Sequence, residues 1–133
     1  MRAIWQRWWP ALLLMGIIFT VSSFSSFPGP QEPLLDRLFK KGAHFVGYGL
    51  LALSYLRGLR QSGLRHARPL AFIMVLLYAI SDEWHQTFVP GRDGNVIDVG
   101  IDSAGAALAL GWQQWWSQRS HAATALLRQE RGR

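Results

Sequence analysis

The segment PLAFIMVLLYAISDEWHQTF, residues 69–88, decides the fold, because a long apolar run ends there in a dense group of ionisable residues. Its length matches the roughly 20 residues that a helix needs to cross a hydrocarbon core. Charged groups at membrane depth cost free energy and usually mark function. A candidate functional site is therefore the polar end of this segment, Asp82-Glu83-Trp84-His85-Gln86.

Three further apolar blocks of similar length flank this segment. The sequence predicts an all-α protein with four transmembrane helices, formed by the blocks Trp8 to Phe27, Gly42 to Leu59, Pro69 to Phe88 and Val96 to Trp116. We expect one domain over residues 1–116, followed by a basic cytoplasmic tail over residues 117–133 that is either an amphipathic helix or disordered. The seven Trp residues cluster near block ends, as in the aromatic belts of membrane proteins.

The apolar blocks have two alternative explanations besides four transmembrane helices. A soluble bundle of buried helices would rarely need four such apolar blocks in 133 residues. A cleavable signal peptide would explain the first block, but its apolar run reaches Phe27 without a cleavage site of the Ala-x-Ala kind. We therefore interpret the first block as a helix of the mature protein.

The basic residues predict the orientation. Ten of the fourteen Lys and Arg residues lie at one set of block ends and in the tail, namely Arg2, Arg7, Arg57, Arg60, Arg65, Arg68, Arg119, Arg128, Arg131 and Arg133. The opposite ends carry the other four, Arg37, Lys40, Lys41 and Arg92. The positive-inside rule therefore predicts that both termini lie in the cytoplasm.

The composition also limits the function classes. We interpret the net charge of +6 as a topology signal and an attraction to anionic lipid, since no nucleic-acid-binding motif accompanies it. The absence of Cys excludes disulfides, thiol catalysis and Cys-ligated metal. The outer connection, Ser25 to Lys40, is broken by prolines and should be extended, with a short interfacial helix over Leu34 to Lys41.

Three of the predicted helices bring polar residues to the same outer level. Lys41, His44 and Tyr48 share one face of the second helix, because they are three and four residues apart. The third helix ends at the same level with its acidic group, and the fourth begins there with Asp98 and Asp102 one turn apart. A buried Asp102 should be either protonated or paired with Lys41 or His44. Small residues should let these helices pack closely, as transmembrane helices do in a lipid bilayer. These residues are Gly47, Gly49, Gly105, Ala106 and Ala109.

These residues form a pattern that resembles the VanZ-like family of small bacterial membrane proteins. The resemblance covers roughly residues 20–111 and rests on three motifs in order: Lys41, His44, Phe45 and Tyr48; then DEWHQTFVPGR, residues 82–92; then Asp98, Asp102 and Gly105. It implies a multi-helix protein of the cell envelope, with a role in tolerance to teicoplanin-type glycopeptides. Two positions depart from the family pattern, Asp102 where Asn is frequent and Ala109 where Gly is frequent.

The polar cluster has two main interpretations. It either binds or processes a lipid-linked or cell-wall substrate, or it is a structural network in a scaffold or partner-binding protein. For an enzyme, the candidate catalytic residues are His44, Asp82, Glu83, His85 and Asp98. The candidate substrate-binding residues are Lys41, Tyr48, Gln86, Arg92 and Asp102.

A metal site is a third interpretation. His44, His85 and two of the carboxylates Asp82, Glu83, Asp98 and Asp102 would suit zinc or manganese. Lys41 and Arg92 argue against a cation, so the sequence leaves metal content and cofactors open. The expected partners are the lipid bilayer and a lipid-linked or cell-wall substrate, with no nucleic acid. Four helices are few for a transporter, which leaves oligomerisation open.

Overall fold

The computed structural model describes residues 2–24 and 32–131, and within them the side chains of residues 4–24, 32 and 34–120. The described part contains four α-helices: α1 (Arg2–Ser22), α2 (Pro33–Gln61), α3 (Ala67–Gln86) and α4 (Val96–Arg131). The prediction of an all-α protein with four helices is confirmed. Phe27, the predicted end of the first block, lies outside the described residues.

Two helices differ in length from the prediction. The expected short helix over Leu34 to Lys41 is not separate, because α2 begins at Pro33 and continues without a break to Gln61. Proline at the first helical position has no N–H to lose and its fixed φ suits the helix start. At the other end of the chain, α4 continues past Trp116 to Arg131, so the backbone of the expected tail is helical there.

α2 is the centre of the bundle and packs against α1, α3 and α4, whereas α1 and α4 make no contact with each other within the described residues. Its buried face carries large side chains, including Tyr48, Leu51 and Tyr55. α3 faces α2 and α4 with small residues one turn apart, Ala67, Ala71, Val75 and Ala79. The polar residues of α3 continue the same buried face at its C-terminal end.

Glycine allows α2 and α4 to approach closely, as the sequence predicted. A Cβ atom on Gly105 would overlap the backbone carbonyl of Phe45 and lie 3.2 Å from its Cα. A Cβ on Gly49 would lie 3.3 Å from the carbonyl oxygen of Gly105 and 3.4 Å from Cβ of Ala109. This crossing lies one helical turn from the polar residues His44 and Asp102, so it fixes the spacing between them.

The link from α3 to α4 is compact and fixed at both sides. Gly91 has a φ of 79°, in the left-handed region that favours glycine. The side chain of Asn95 caps α4, because its Oδ1 accepts a hydrogen bond from the N–H of Ile97 at 2.9 Å. Gly94 packs against the end of α3, where a Cβ would overlap the carbonyl oxygen of Glu83.

One described helix is long and apolar enough to cross a membrane by length and composition, namely α1 over Ile4–Ser22. A signal sequence or a core helix can pass the same test, although α1 is only 11% buried over this window. The other helices carry more polar residues, which lowers their average hydropathy. Four membrane spans therefore remain a proposal, developed below.

Candidate functional site

A cleft of about 360 Å³ opens at the end of the bundle where α2 and α4 begin and α3 ends, here called the cleft end. It lies between α2, α3, α4 and the α3–α4 link. Basic and acidic side chains line it in equal number: Arg37, Lys40, Lys41 and Arg92 against Glu83, Asp93, Asp98 and Asp102. His44 and Gln86 complete its polar lining. Polar ligands therefore suit this cleft better than apolar ones.

α2 and α4 form one wall of the cleft through two pairs of residues. Lys41 donates to Asp98 through its Nζ, and both side chains are partly exposed. One turn deeper, His44 Nδ1 lies 3.6 Å from Asp102 Oδ1, longer than a normal hydrogen bond. Asp102 is fully buried, and neither carboxylate oxygen has a hydrogen-bond donor in the described structure. Of the two partners expected for Asp102, the structure thus favours His44.

α3 forms the opposite wall with Glu83 and Gln86. Glu83 is buried, and both of its carboxylate oxygens accept hydrogen bonds, Oε1 from Gln86 Nε2 at 3.1 Å and Oε2 from the backbone N–H of Asn95 at 2.8 Å. Two donors fix the orientation of this carboxylate. It faces the cleft in a defined position, close to His44 and Asp102.

Asp82 lies beneath the cleft and does not line it. Its Oδ2 accepts hydrogen bonds from Ser22 of α1 at 2.8 Å, from Tyr48 of α2 at 3.2 Å and from Gln86 of α3 at 3.2 Å. One carboxylate oxygen thus joins three helices. Asp82 is not among the residues that line this cleft, and its catalytic role stays a prediction.

Arg92 connects the cleft to α1. Its Nη1 donates to Gln86 Oε1 at 2.9 Å, while Nε and Nη2 donate to the carbonyl oxygens of Phe24 and Val21 at 3.1 and 3.3 Å. The carbonyls at a helix C-terminus lack partners within the helix and carry partial negative charge. Arg92 therefore holds the end of α1 against the site, in addition to lining the cleft.

Two other candidate residues also lie outside the cleft. Tyr48 is fully buried and donates its hydroxyl hydrogen to Asp82, while its role in substrate binding stays a prediction. His85 faces α1, where its Nε2 lies 3.1 Å from Ser23 Oγ and its ring stacks on Phe19 at 4.5 Å between centroids. Since His85 is two residues after Glu83 on the helix, the two side chains point in different directions.

The remaining candidates do meet in the cleft. They are Lys41, His44, Glu83, Gln86, Arg92, Asp98 and Asp102. Sequence reasoning missed Arg37 and Lys40, which lie on the cleft side of α2 one turn before Lys41 and His44. Their spacing of four residues from Lys41 and His44, respectively, is a signal for a shared helix face, whereas the prolines before them favour a separate segment. It also missed Ser22, for which the sequence offered no signal.

The opposite end of the bundle is basic and aromatic. Arg60 and Arg68 both donate to Oε1 of Gln113, at 3.3 and 3.0 Å. Burial and, next, the charge of Arg60 lower the pKa of Arg68. Beyond them, Arg119 lies over the ring of Trp115, with its Cζ 4.0 Å from the centroid, within the range of a cation–π interaction.

Comparison with protein families identifies the chain. The family model described as VanZ/LLP1 matches residues 2–116, most of its length. The chain belongs to the VanZ/LLP1 family. The VanZ/LLP1 match contains every residue that lines the cleft. Searches among curated proteins and among solved structures gave no significant match.

Proposed function

We propose that this VanZ/LLP1 protein is a multi-pass protein of the bacterial cytoplasmic membrane, with all four helices crossing it. Support comes from two features of the bundle, namely polar side chains buried inside it and large apolar side chains exposed on its surface. Buried positions include Ser22, Asp82, Glu83, Gln86 and Asp102. Large apolar side chains are exposed on every helix, among them Leu13, Leu50, Leu77 and Leu108. Contiguous apolar surface of this kind requires an apolar environment.

The dimensions of the bundle also fit a bilayer. The stretch of α2 from Lys41 to Arg60 is about 28 Å long at about 1.5 Å per residue, close to the roughly 30 Å of a hydrocarbon core. Trp84 is exposed at the cleft end, and Trp5, Trp9, Trp112 and Trp116 are exposed at the opposite end. Tryptophan favours the two interfaces of a membrane. α2, α3 and α4 have lower average hydropathy because their polar residues face each other inside the bundle.

The distribution of charge supports an outward-facing cleft. Arg57, Arg60, Arg65 and Arg68 belong to the end opposite the cleft, and the positive-inside rule assigns that end to the cytoplasm. Both termini then lie in the cytoplasm as well. In this orientation the cleft opens to the outer face.

For the cleft itself, we propose that it binds the anionic headgroup of a lipid-linked or cell-wall substrate and acts on it. The observation that carries this proposal is the guanidinium of Arg37, which lines the cleft and has no partner among the described residues. A guanidinium can bind a phosphate or carboxylate through two parallel hydrogen bonds. His44 and Glu83 lie in the same cleft and are the groups best placed to accept a proton from a bound substrate.

This activity would serve the cell envelope, and by its VanZ relationship it contributes to tolerance of teicoplanin-type glycopeptides. A non-catalytic scaffold is the second candidate. It is favoured by the group around Asp82, which uses Ser22, Tyr48 and Gln86 to join three helices. Asp82, Ser22 and Tyr48 are not part of the cleft lining, however, and this group leaves the pairs Lys41–Asp98 and His44–Asp102 unexplained.

The proposal is tested by identifying lipids that copurify with the full chain. Protein extracted in mild detergent should carry a phosphate-bearing polyprenyl lipid in excess over its share of the membrane, as measured by mass spectrometry. Arg37→Ala should lose this enrichment, because it removes the cleft guanidinium that has no partner among the described residues. Arg65→Ala removes an exposed arginine from the opposite end and should keep it. A lipid profile equal to that of the bulk membrane, or equal loss in both variants, would refute substrate binding in the cleft.

A further inference from the structure

We propose that His44, Glu83 and Asp102 form a binding site for one divalent metal ion, zinc or manganese, at the base of the cleft. One ligand atom of each residue lies within 4.8 Å of the other two. Each residue comes from a different helix, α2, α3 and α4 respectively. The site goes beyond the proposed binding of an anionic headgroup and does not depend on it.

The spacing of these atoms fits a shared metal ion better than direct hydrogen bonding. Two ligands about 2.1 Å from one tetrahedral ion lie roughly 3.4 Å apart. His44 Nδ1 and Asp102 Oδ1 are separated by 3.6 Å, too far for a normal hydrogen bond but close to this value. The ligand atom of Glu83 lies within 4.8 Å of both of these atoms.

The condition of Asp102 is an independent observation that points to a cation. Its side chain is fully buried, and both of its carboxylate oxygens lack a hydrogen-bond donor. A buried carboxylate without a hydrogen-bond donor is strongly disfavoured, and the ion-pair partner of Asp102, His44, lies 3.6 Å away. The neighbouring donors are used elsewhere, since Lys41 donates to Asp98 and Tyr48 to Asp82. A metal ion would supply the positive charge that this carboxylate lacks.

Glu83 is oriented as a metal ligand usually is. Gln86 donates to one of its oxygens and the N–H of Asn95 to the other. Ligating carboxylates are commonly held by such hydrogen bonds, which fix the direction of their remaining lone pairs. Asn95 is itself held by its cap on α4 and by the close packing of Gly94 on α3. The Glu83 carboxylate thus needs little reorganisation to bind an ion.

Lys41 and Arg92 carry positive charges that would oppose a metal ion, but both side chains are engaged with other partners. Lys41 is paired with Asp98, and Arg92 donates to Gln86 and to the C-terminal carbonyls of α1. The ligand set then contributes two negative charges, from Glu83 and Asp102, which suits a divalent ion. Histidine with carboxylates is a donor set that zinc and manganese accept. Three protein ligands leave a coordination position open to the cleft for water or a substrate oxygen.

The test is zinc binding to the purified full-length protein in detergent, after removal of the affinity tag and treatment with a chelator. After zinc is added back and the excess is removed, we expect one zinc ion per chain by elemental analysis. Titration of the chelator-treated protein with zinc should show saturable binding by isothermal titration calorimetry. Asp102→Asn keeps the shape of the side chain and removes its charge, so it should weaken binding at least tenfold. His44→Ala should weaken it further. His85→Ala, which removes a histidine from the same end but outside the cleft, should bind as the wild type.

A second readout keeps the proposal open to refutation if one variant folds poorly. Zinc should raise the unfolding temperature of the wild type and of His85→Ala, followed by tryptophan fluorescence, but not that of Asp102→Asn. Less than 0.2 zinc per chain in the wild type would overturn the site, as would unchanged affinity in Asp102→Asn. Copurified lipid is measured separately. If the wild type enriches the lipid but does not bind zinc, the metal site is therefore rejected and the proposed function stands.

Discussion

Gly105→Ala tests the close crossing of α2 and α4 on which the site depends. The added Cβ would overlap the carbonyl oxygen of Phe45 and lie 2.9 Å from its carbonyl carbon. Carbon atoms prefer separations of about 3.5 to 4.0 Å, so α2 and α4 must separate by roughly 0.5 to 1 Å. The obstructing atoms belong to the backbone of a helix and cannot rotate away. Overpacking of this kind costs about 1 to 3 kcal/mol, and we expect the upper half of that range.

The matched control is Gly100→Ala on the same helix, where a Cβ would have no atom within 4 Å. Alanine is the better helix former by about 1 kcal/mol, so this variant should be as stable as the wild type or slightly more stable. Stability is measured by unfolding in mixed micelles with increasing dodecyl sulfate, followed by tryptophan fluorescence. If Gly105→Ala unfolds at the same denaturant concentration as Gly100→Ala, the close approach of α2 to α4 is wrong.

Three further predictions concern topology and the polar network. The chain has no native Cys, so a membrane-impermeant thiol reagent should label Asp93→Cys in intact cells. The same reagent should leave Ser62→Cys unlabelled until the cells are opened. Labelling of Ser62→Cys from outside would show that the orientation is the reverse of the one proposed. Tyr48→Phe removes one buried donor to Asp82 and should lower the free energy of unfolding by about 1 kcal/mol with no loss of copurified lipid; loss of that lipid at full stability would instead give Tyr48 a role in binding. Arg92→Gln removes the cap of α1 and should cost about 2 kcal/mol, with faster proteolysis near the end of α1; resistance equal to that of the wild type would contradict the capping contact.

Four helices could be predicted from the sequence because each apolar block has the length of one helix. The start of α2 could not, because Asp36, Arg37, Lys40 and Lys41 interrupt the apolar pattern. Hydrophobicity marks the part of a helix that lies in lipid, whereas the helix itself extends further. Lys40 pairs with Asp36 at 2.8 Å on the same helix, a spacing that supports the extension beyond the apolar block.

The composition of the site could be predicted only in part. Five consecutive residues, Asp82 to Gln86, cover more than one turn of a helix and therefore cannot all face one cleft. The sequence gives their order but not which of them faces α1. His85 was assigned to the cleft because the position of α1 was unknown. Ser22 was missed for the same reason, since its role depends on α1 lying against Asp82.

The contacts of Arg92 bear on how the protein is assembled during synthesis. The residue follows α3 in the chain, yet its guanidinium binds carbonyls of Val21 and Phe24, separated from it by 71 and 68 residues. A ribosome must therefore complete three helices before the first one can be secured. Until Arg92 is made, α1 is retained by its packing on α2 and by the contacts of Ser22 and Ser23 with the end of α3. We expect nascent chains stopped before Arg92 to expose α1 to membrane proteases and to chaperones, and chains stopped after α4 begins to be protected.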